Sequence, residues 1–411
     1  MKKITFTIVA FFIFFHQFFS QKELETYLKL AAENNPSLKK AFNEYRASLE
    51  KISSAKSLPD PQIMFQYLIT PLVYEMGKQR FSISASQMFP WFGQLSAQEQ
   101  YASEIAKSKY HAFINERNQL FFNIKKAYFN LYLNHKAISI VLENIRILNT
   151  IKELARINFE TGKNSFADVL RTEIELAKLE TELANLKDNQ YPLIKELEKY
   201  INKNIDHSIS FPDTLWEDTL SVPKSILLDS LSTHHPLLFQ KENEILSYEK
   251  QINIARKMSY PAFSIGLNYM NMSKKAGNFP DNGKDMFMPE IGMSLPIYRK
   301  KYHSMINEAK FMQEASIFEK ENLKNDLSYE LEKSYFEYLS NKRNINLYKK
   351  LYKLAKDARQ ILLTSYSTGN TNLEEVLRIQ EEEISYALQL EQARVSLNIT
   401  TAYINYLTGK P

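Results

Sequence analysis

One stretch occurs twice in this chain, and the two copies fix the plan of everything between them. Residues 159–171 and 366–378 align without a gap. Thr161 and Thr368, Gly162 and Gly369, Val169 and Val376, Leu170 and Leu377, and Arg171 and Arg378 are identical pairs. Phe159 with Tyr366 and Asp168 with Glu375 are conservative ones. Each copy joins two long helical patterns. Each glycine follows a helix with no other stop signal, as a left-handed C-cap does. Asn164 and Ser165 in the first copy, and Asn370 to Asn372 in the second, then supply cap residues for the next helix. Each copy is the predicted tip of a long helical hairpin.

The sequence on either side repeats as well. A short helix stops before Pro36, and a second runs from Ser37 to Ser57 and stops at Pro59. Period-two alternation then marks strands near 62–69 and 81–89, with a loop expected over 70–79 around Pro71 and Gly77. No proline occurs from Gly93 to Phe159. A helix of that length would be on the order of 100 Å, far outside the usual globular range. The return helix, from about Ser165 to Asn202, carries Pro192, a predicted kink or break. After a connecting segment at 205–223, the same order returns. A short helix stops before Pro236, and strands are expected near 263–271 and 289–296. A second long helix runs to Tyr366, and its return runs from Leu373 to Leu407. The expected domains are 21–204, with its tip at 162, and 224–411, with its tip at 369. A period this long is an internal duplication rather than a solenoid.

Both long helices carry two apolar seams. In the second copy one seam is Ile345, Tyr348, Tyr352, Ala355, Leu362 and Tyr366; the other is Leu347, Leu351, Leu354, Ala358 and Ile361. The first copy has equivalents, and the polar break recurs as Lys152 and Arg359. A two-stranded coiled coil needs one seam. Helices side by side in a closed ring need two, although a wide stripe in an ordinary bundle reads the same way. The strands add a constraint. Phe81, Ile83, Phe263, Ile265, Leu267 and Tyr269 form one face, and Ser82, Ser84, Ser86, Ser264 and Asn268 the other. Four strands cannot close a barrel, and open edges are not tolerated in lipid. If these strands span a membrane, several copies share one barrel. Otherwise they are two hairpins on a soluble core.

Composition removes other classes. A net charge of +5, evenly spread, does not argue for nucleic acid. There is no cysteine, hence no disulfide or thiolate metal site. No phosphate-cradling loop, nucleophile elbow or zinc-protease motif occurs, so no catalytic residue, metal site or cofactor is expected. His234 and His235 are adjacent and expected to cap a helix or lie at the surface. Met270, Met272, Met286, Met288 and Met293 cluster on the last two strands. Apolar filling and lipid contact are their expected role, with Cu(I) binding as the alternative. Residues 1–20 read as a signal peptide: Met1 to Lys3 is basic, Ile4 to Phe19 almost wholly apolar, and the cut falls near Ser20. An uncleaved anchor is the alternative.

Tyr366 to Gly369, Glu375 to Leu377, Leu388, Ala393 and Arg394, and Tyr403 to Gly409 together resemble the C-terminal hairpin of TolC-type outer-membrane efflux proteins. Met293 to Tyr298 is similar to that family's last strand and its exit into the long helix. The resemblance covers both repeats. It implies a mainly α fold, with long antiparallel hairpins forming an α-barrel and four strands given to a shared trimeric β-barrel of about twelve strands. It implies a homotrimer in outer-membrane lipid, with a long periplasmic part. A periplasmic adaptor and an inner-membrane pump would complete a passive duct for efflux or secretion. A periplasmic coiled-coil adaptor or scaffold, never inserted in the membrane, is the alternative.

In that family the glycine-bearing tips face the adaptor and close the periplasmic mouth. The resemblance places Thr161, Gly162, Thr368 and Gly369 at that contact, and Asp168, Tyr366, Thr371, Glu375 and Arg378 at the entrance. A latch would pair the Tyr366 hydroxyl with the Asp168 carboxylate. Thr371 stands where the best-known member has an arginine, and Arg378 where it has an acid, so a mixed-charge mouth is expected. Compensation of helix N-terminal charge is the local alternative for Asp168 and Glu375.

Overall fold

The computed structural model describes residues 23–206, 209–278 and 280–410; the expected signal peptide lies outside them. Residues 23–34 are helical (α1). There follow α2 (Pro36–Lys56), β1 (Gln62–Tyr74), β2 (Gly77–Phe89), α3 (Gln94–Glu160) and α4 (Phe166–Ile201). The second half repeats the order with α5 (Lys224–His234), α6 (Pro236–Met258), β3 (Ala262–Ser273), β4 (Met286–Ser294), α7 (Arg299–Thr368) and α8 (Leu373–Leu407). The long helices have 67 and 70 residues. Among the described residues, no helix is apolar and long enough to cross a membrane.

The chain divides into two compact units. One holds residues 41–113 and 236–323, and with them the four strands. These form one antiparallel sheet in the order β1-β2-β3-β4. The strands are longer than their alternation suggested. The expected loop at 70–79 is mostly strand: β1 runs to Tyr74, Glu75 and Met76 make the turn, and β2 begins at Gly77. The alternation breaks because Pro71 cannot donate to the ladder. The register shifts between Tyr67 and Leu72, which bulges the strand around the proline. Likewise β4 starts at Met286 and includes Pro289. Both strand prolines lie on the outer two strands of this chain's sheet, so neither interrupts the β2–β3 ladder. Within this unit Ser108 donates to Glu244 at 3.2 Å, joining α3 to α6.

The other unit holds residues up to 40, 114–235 and 324 onward. Here α4 passes through Pro192 without a break. The connecting segment 205–223 is fastened by side chains from the helices. The Tyr132 hydroxyl accepts the Leu215 N–H and donates to Glu391, both at 3.0 Å. Asn398 accepts the Asp218 N–H at 2.9 Å and donates to the Trp216 carbonyl at 2.7 Å. Extended backbone that lacks a sheet partner must find such acceptors and donors when it is covered. His235 is not at the surface. It caps α5 through its backbone N–H, and its ring is fully buried, edge-on to Tyr406. Burial lowers its pKa to about 4.

Candidate functional site

The hairpin tips are built twice from the same local rules. Gly162 has φ +72° and Gly369 φ +82°. In the first tip the Gly162 N–H reaches the Phe159 carbonyl at 2.9 Å, and the Lys163 N–H reaches Asn158 at 2.8 Å. In the second, Gly369 reaches Tyr366 at 3.1 Å and Asn370 reaches Ser365 at 2.9 Å. This is the same C-terminal cap with the same offsets. A Cβ added at either glycine would meet nothing within 4 Å. Backbone conformation, not crowding, is what the glycines supply. Thr161 donates to the Ile157 and Asn158 carbonyls, and Thr368 to Ser365, so both hydroxyls are engaged by the last turn of their own helix. The Ser165 hydroxyl then caps α4, and the Asn372 side chain caps α8.

The acids three residues past those caps are also paired by repeat. Asn164 donates to the Asp168 carboxylate at 3.2 Å, and Thr371, its equivalent, donates to Glu375 at 2.9 Å. From there the copies diverge. Phe159 is exposed and packs on Phe166 at 5.2 Å between ring centroids. Its counterpart Tyr366 is fully buried among Leu148, Ile151, Ala155, Val169 and Val376. Its hydroxyl donates to Asp168 at 3.2 Å, across the two repeats. Asn158 donates to the Tyr366 carbonyl at 3.5 Å. Burial raises the tyrosine pKa, so the phenol stays protonated and able to donate. Glu375 and Arg378 are exposed and do not pair with each other; Arg378 pairs with Glu382 at 3.0 Å.

Beside the tips, α4 and α8 flank a groove of about 390 Å³ lined by Arg171, Ile174, Glu175, Glu374, Leu377, Arg378 and Glu381. The two repeat-equivalent arginines thus share one groove. Burial, and then the Glu175 carboxylate beside it, raise the Glu381 pKa. Sequence reasoning missed the polar contacts further along the hairpins. Arg359 meets Glu383 at 2.5 Å, with side chains 10% and 7% exposed. Gln380 donates to Asn144, and both are buried. Lys152, the repeat partner of Arg359, meets Glu173 at 2.8 Å. The polar break in each seam was the available signal, but its return-helix partner cannot be read from spacing.

In its own unit, the sheet separates two chemistries. The register aligns Phe65, Ile83, Tyr269 and Phe287 in one row across the four strands. Ile63, Ala85, Leu267 and Pro289 form the next row on the same face. Ile63, Phe65, Ile265, Phe287 and Ile291 are each more than half exposed. Rings of Phe65, Phe81, Tyr269 and Phe287 run across all four strands at 5.1–6.2 Å between centroids. At the opposite end Trp91 stacks on Tyr260 at 5.1 Å and on Phe263 at 5.9 Å. The other face holds Gln62, Gln66, Ser82, Ser84, Ser86, Asn268 and Glu290. An exposed apolar band between two aromatic rows, backed by a polar face, is the surface of a membrane β-barrel wall.

Comparison with known proteins agrees with this geometry. The sequence profile described as outer membrane efflux protein matches residues 27–203 and again 227–410, one match per repeat. Solved structures share the fold. CusC superposes with a TM-score of 0.80 at 16% identity, over 95% of this chain and 92% of that one. VceC of Vibrio cholerae gives 0.76 at 15% identity, over 95% and 96%. The open state of MtrE from Neisseria gonorrhoeae gives 0.76 at 16%, over 94% and 89%. No curated protein sequence matches the chain.

Proposed function

The chain belongs to the outer membrane efflux protein family, and from that premise we propose that three copies build one passive exit duct, opened at its helical tips. It is a transport channel of the outer membrane with a long periplasmic part, and not an enzyme. The observation that carries the assembly is the open sheet. Among the described residues, four strands leave both edges unpaired and an apolar face exposed. In lipid those edges must be joined by other copies. Three sets of four strands give an even-numbered barrel. The periplasmic scaffold reading leaves that exposed face without a purpose.

The helices support the same reading. On α7 the seam of Ile345, Ala355 and Tyr366 is buried within the chain. The second seam stays open: Leu347, Leu354 and Ile361 are 48%, 54% and 67% exposed. A neighbouring copy would cover it. At the tips, Thr161, Gly162, Thr368 and Gly369 form the contact for a periplasmic adaptor, which links the duct to an inner-membrane pump that supplies the energy. Asp168 and Tyr366 hold the two hairpins of one copy together in the closed state. Thr371, Glu375 and Arg378 line the entrance as a mixed-charge ring.

The test is extraction and conductance. The protein should resist salt washing of membranes, require detergent, migrate as a trimer and conduct in planar bilayers. Recovery as a soluble periplasmic monomer would refute the duct.

A further inference from the structure

The polar face of the sheet carries sulfur as well as oxygen. Alternation along β3 and β4 puts Met270, Met286 and Met288 on the face that holds Ser82, Asn268 and Glu290. In the ladder Met270 stands opposite Met286, and Asn268 opposite Met288. Directly opposed residues in an antiparallel pair have Cβ atoms about 5 Å apart, and diagonal neighbours about 7–8 Å. Three flexible thioether arms therefore share one patch. All three are half-buried, so the patch remains open to a small solute.

The expected role of the methionine cluster was apolar filling and lipid contact. That account fits Met293, which pairs with Phe263 on the apolar face. It does not fit Met270, Met286 and Met288, whose neighbours on the sheet include hydroxyl, amide and carboxylate groups; Met272, the fifth, is buried opposite Gln79. Thioethers are soft donors and select Cu(I) over hard cations. They are also neutral, so a bound cation needs a counter-charge nearby. Glu290 follows Met288 on the same face of β4 and accepts from Asn268 at 3.3 Å. Among the described residues, no group of three or more His, Cys, Asp or Glu is placed to hold a metal.

We infer that Met270, Met286 and Met288 form a binding site for a soft monovalent cation, Cu(I) or Ag(I), on the polar face of the sheet. The site lies within one chain and involves binding only, so it stands or fails separately from the gating of the duct.

The probe is Ag(I) itself, added as nitrate in chloride-free buffer to the detergent-purified full-length protein. Silver retained after gel filtration is measured by mass spectrometry. Wild-type protein should retain silver in proportion to chain. The triple variant Met270→Leu, Met286→Leu, Met288→Leu should lose at least ten-fold in affinity, and Met293→Leu should match wild type. Competition with a chromophoric Cu(I) chelator under anaerobic reduction should rank the variants in the same order. Should the triple variant not assemble, Met286→Leu and Met288→Leu are read singly, each with weakened binding. No retention by wild type, equal retention by the methionine variants, or preference for Zn(II) over Ag(I) would overturn the site.

Discussion

The hydroxyl of Tyr366, at the end of α7, donates to the carboxylate of Asp168, in the first turn of α4, at 3.2 Å. The bond joins the second hairpin to the first, and the tyrosine is buried while its repeat partner Phe159 is exposed. Removing it leaves Asp168 with Asn164 alone. One such bond is worth about 0.5–1.5 kcal/mol, enough to shift a closed tip toward open several-fold. Asp168→Ala combined with Tyr366→Phe should raise single-channel conductance or open probability in planar bilayers. A conductance identical to wild type would exclude this pair from gating.

The two tip glycines make a cleaner test of backbone geometry. Both sit at positive φ with empty space where a side chain would go. Alanine at Gly162 or Gly369 should therefore cost roughly 1–2 kcal/mol through conformation alone. Asparagine should cost less, because it tolerates the left-handed region. Hydrogen exchange across residues 155–170 and 362–377 would report the difference as local opening. Equal exchange in the alanine and asparagine variants would contradict a purely conformational role.

Arg359 and Glu383 form the most enclosed ion pair of the hairpins among the described residues. A buried charge that loses its partner remains desolvated, which costs about 3–5 kcal/mol. Arg359→Met should destabilise α8 by that order, and adding Glu383→Leu should recover much of it. A double-mutant cycle read by denaturant unfolding measures the coupling. Additive losses would mean that the two groups are solvated independently.

Much of this plan was legible in the sequence because local rules and the duplication agree. The paired glycines, caps and proline-free stretches mark hairpins whichever partners they have. The strand ends were less legible. Pro71 and Pro289 interrupt the alternation, and only the sheet order shows that both lie on edges. The Asp168–Tyr366 contact followed from family resemblance, whereas Gln380 with Asn144 and Arg359 with Glu383 did not. Those pairs join residues on separate helices, and helical period specifies a face but not what lies across it. Of the clustered methionines, Met293 lies on the apolar face as lipid contact requires, whereas Met270, Met286 and Met288 share the polar one.

His235 predicts a pH dependence. Its folded pKa, about 4, lies below the ordinary 6.5 because the ring is buried. Protonation therefore favours the unfolded or locally opened state. Its contribution is fully present above pH 6.5 and lost as pH falls toward 4, a change of about 3 kcal/mol. Hydrogen exchange around residues 231–240, corrected for intrinsic rates, should accelerate across that window in wild type. It should be nearly flat in His235→Leu. An unchanged profile in the variant would assign the acid sensitivity to other groups.

Adjacent residues on β3 test the membrane orientation of the sheet. Leu267 pairs with Ala85 and Pro289 on the apolar face, and Asn268 with Ser84 and Met288 on the polar face. Both are near the middle of the strand. A lysine on the lipid side of a barrel wall costs about 2–4 kcal/mol near the bilayer midplane, and little on the water side. Asn268→Lys also places its ammonium near the Glu290 carboxylate, now held by Asn268 at 3.3 Å. Leu267→Lys should reduce the fraction of protein assembled in the outer membrane, whereas Asn268→Lys should assemble like wild type. The readout is the heat-sensitive trimer band from isolated outer membranes, with urea unfolding in lipid vesicles for the energy. Equal defects in both variants would mean that the two faces meet the same surroundings, and the barrel wall would be lost as an explanation for the alternation.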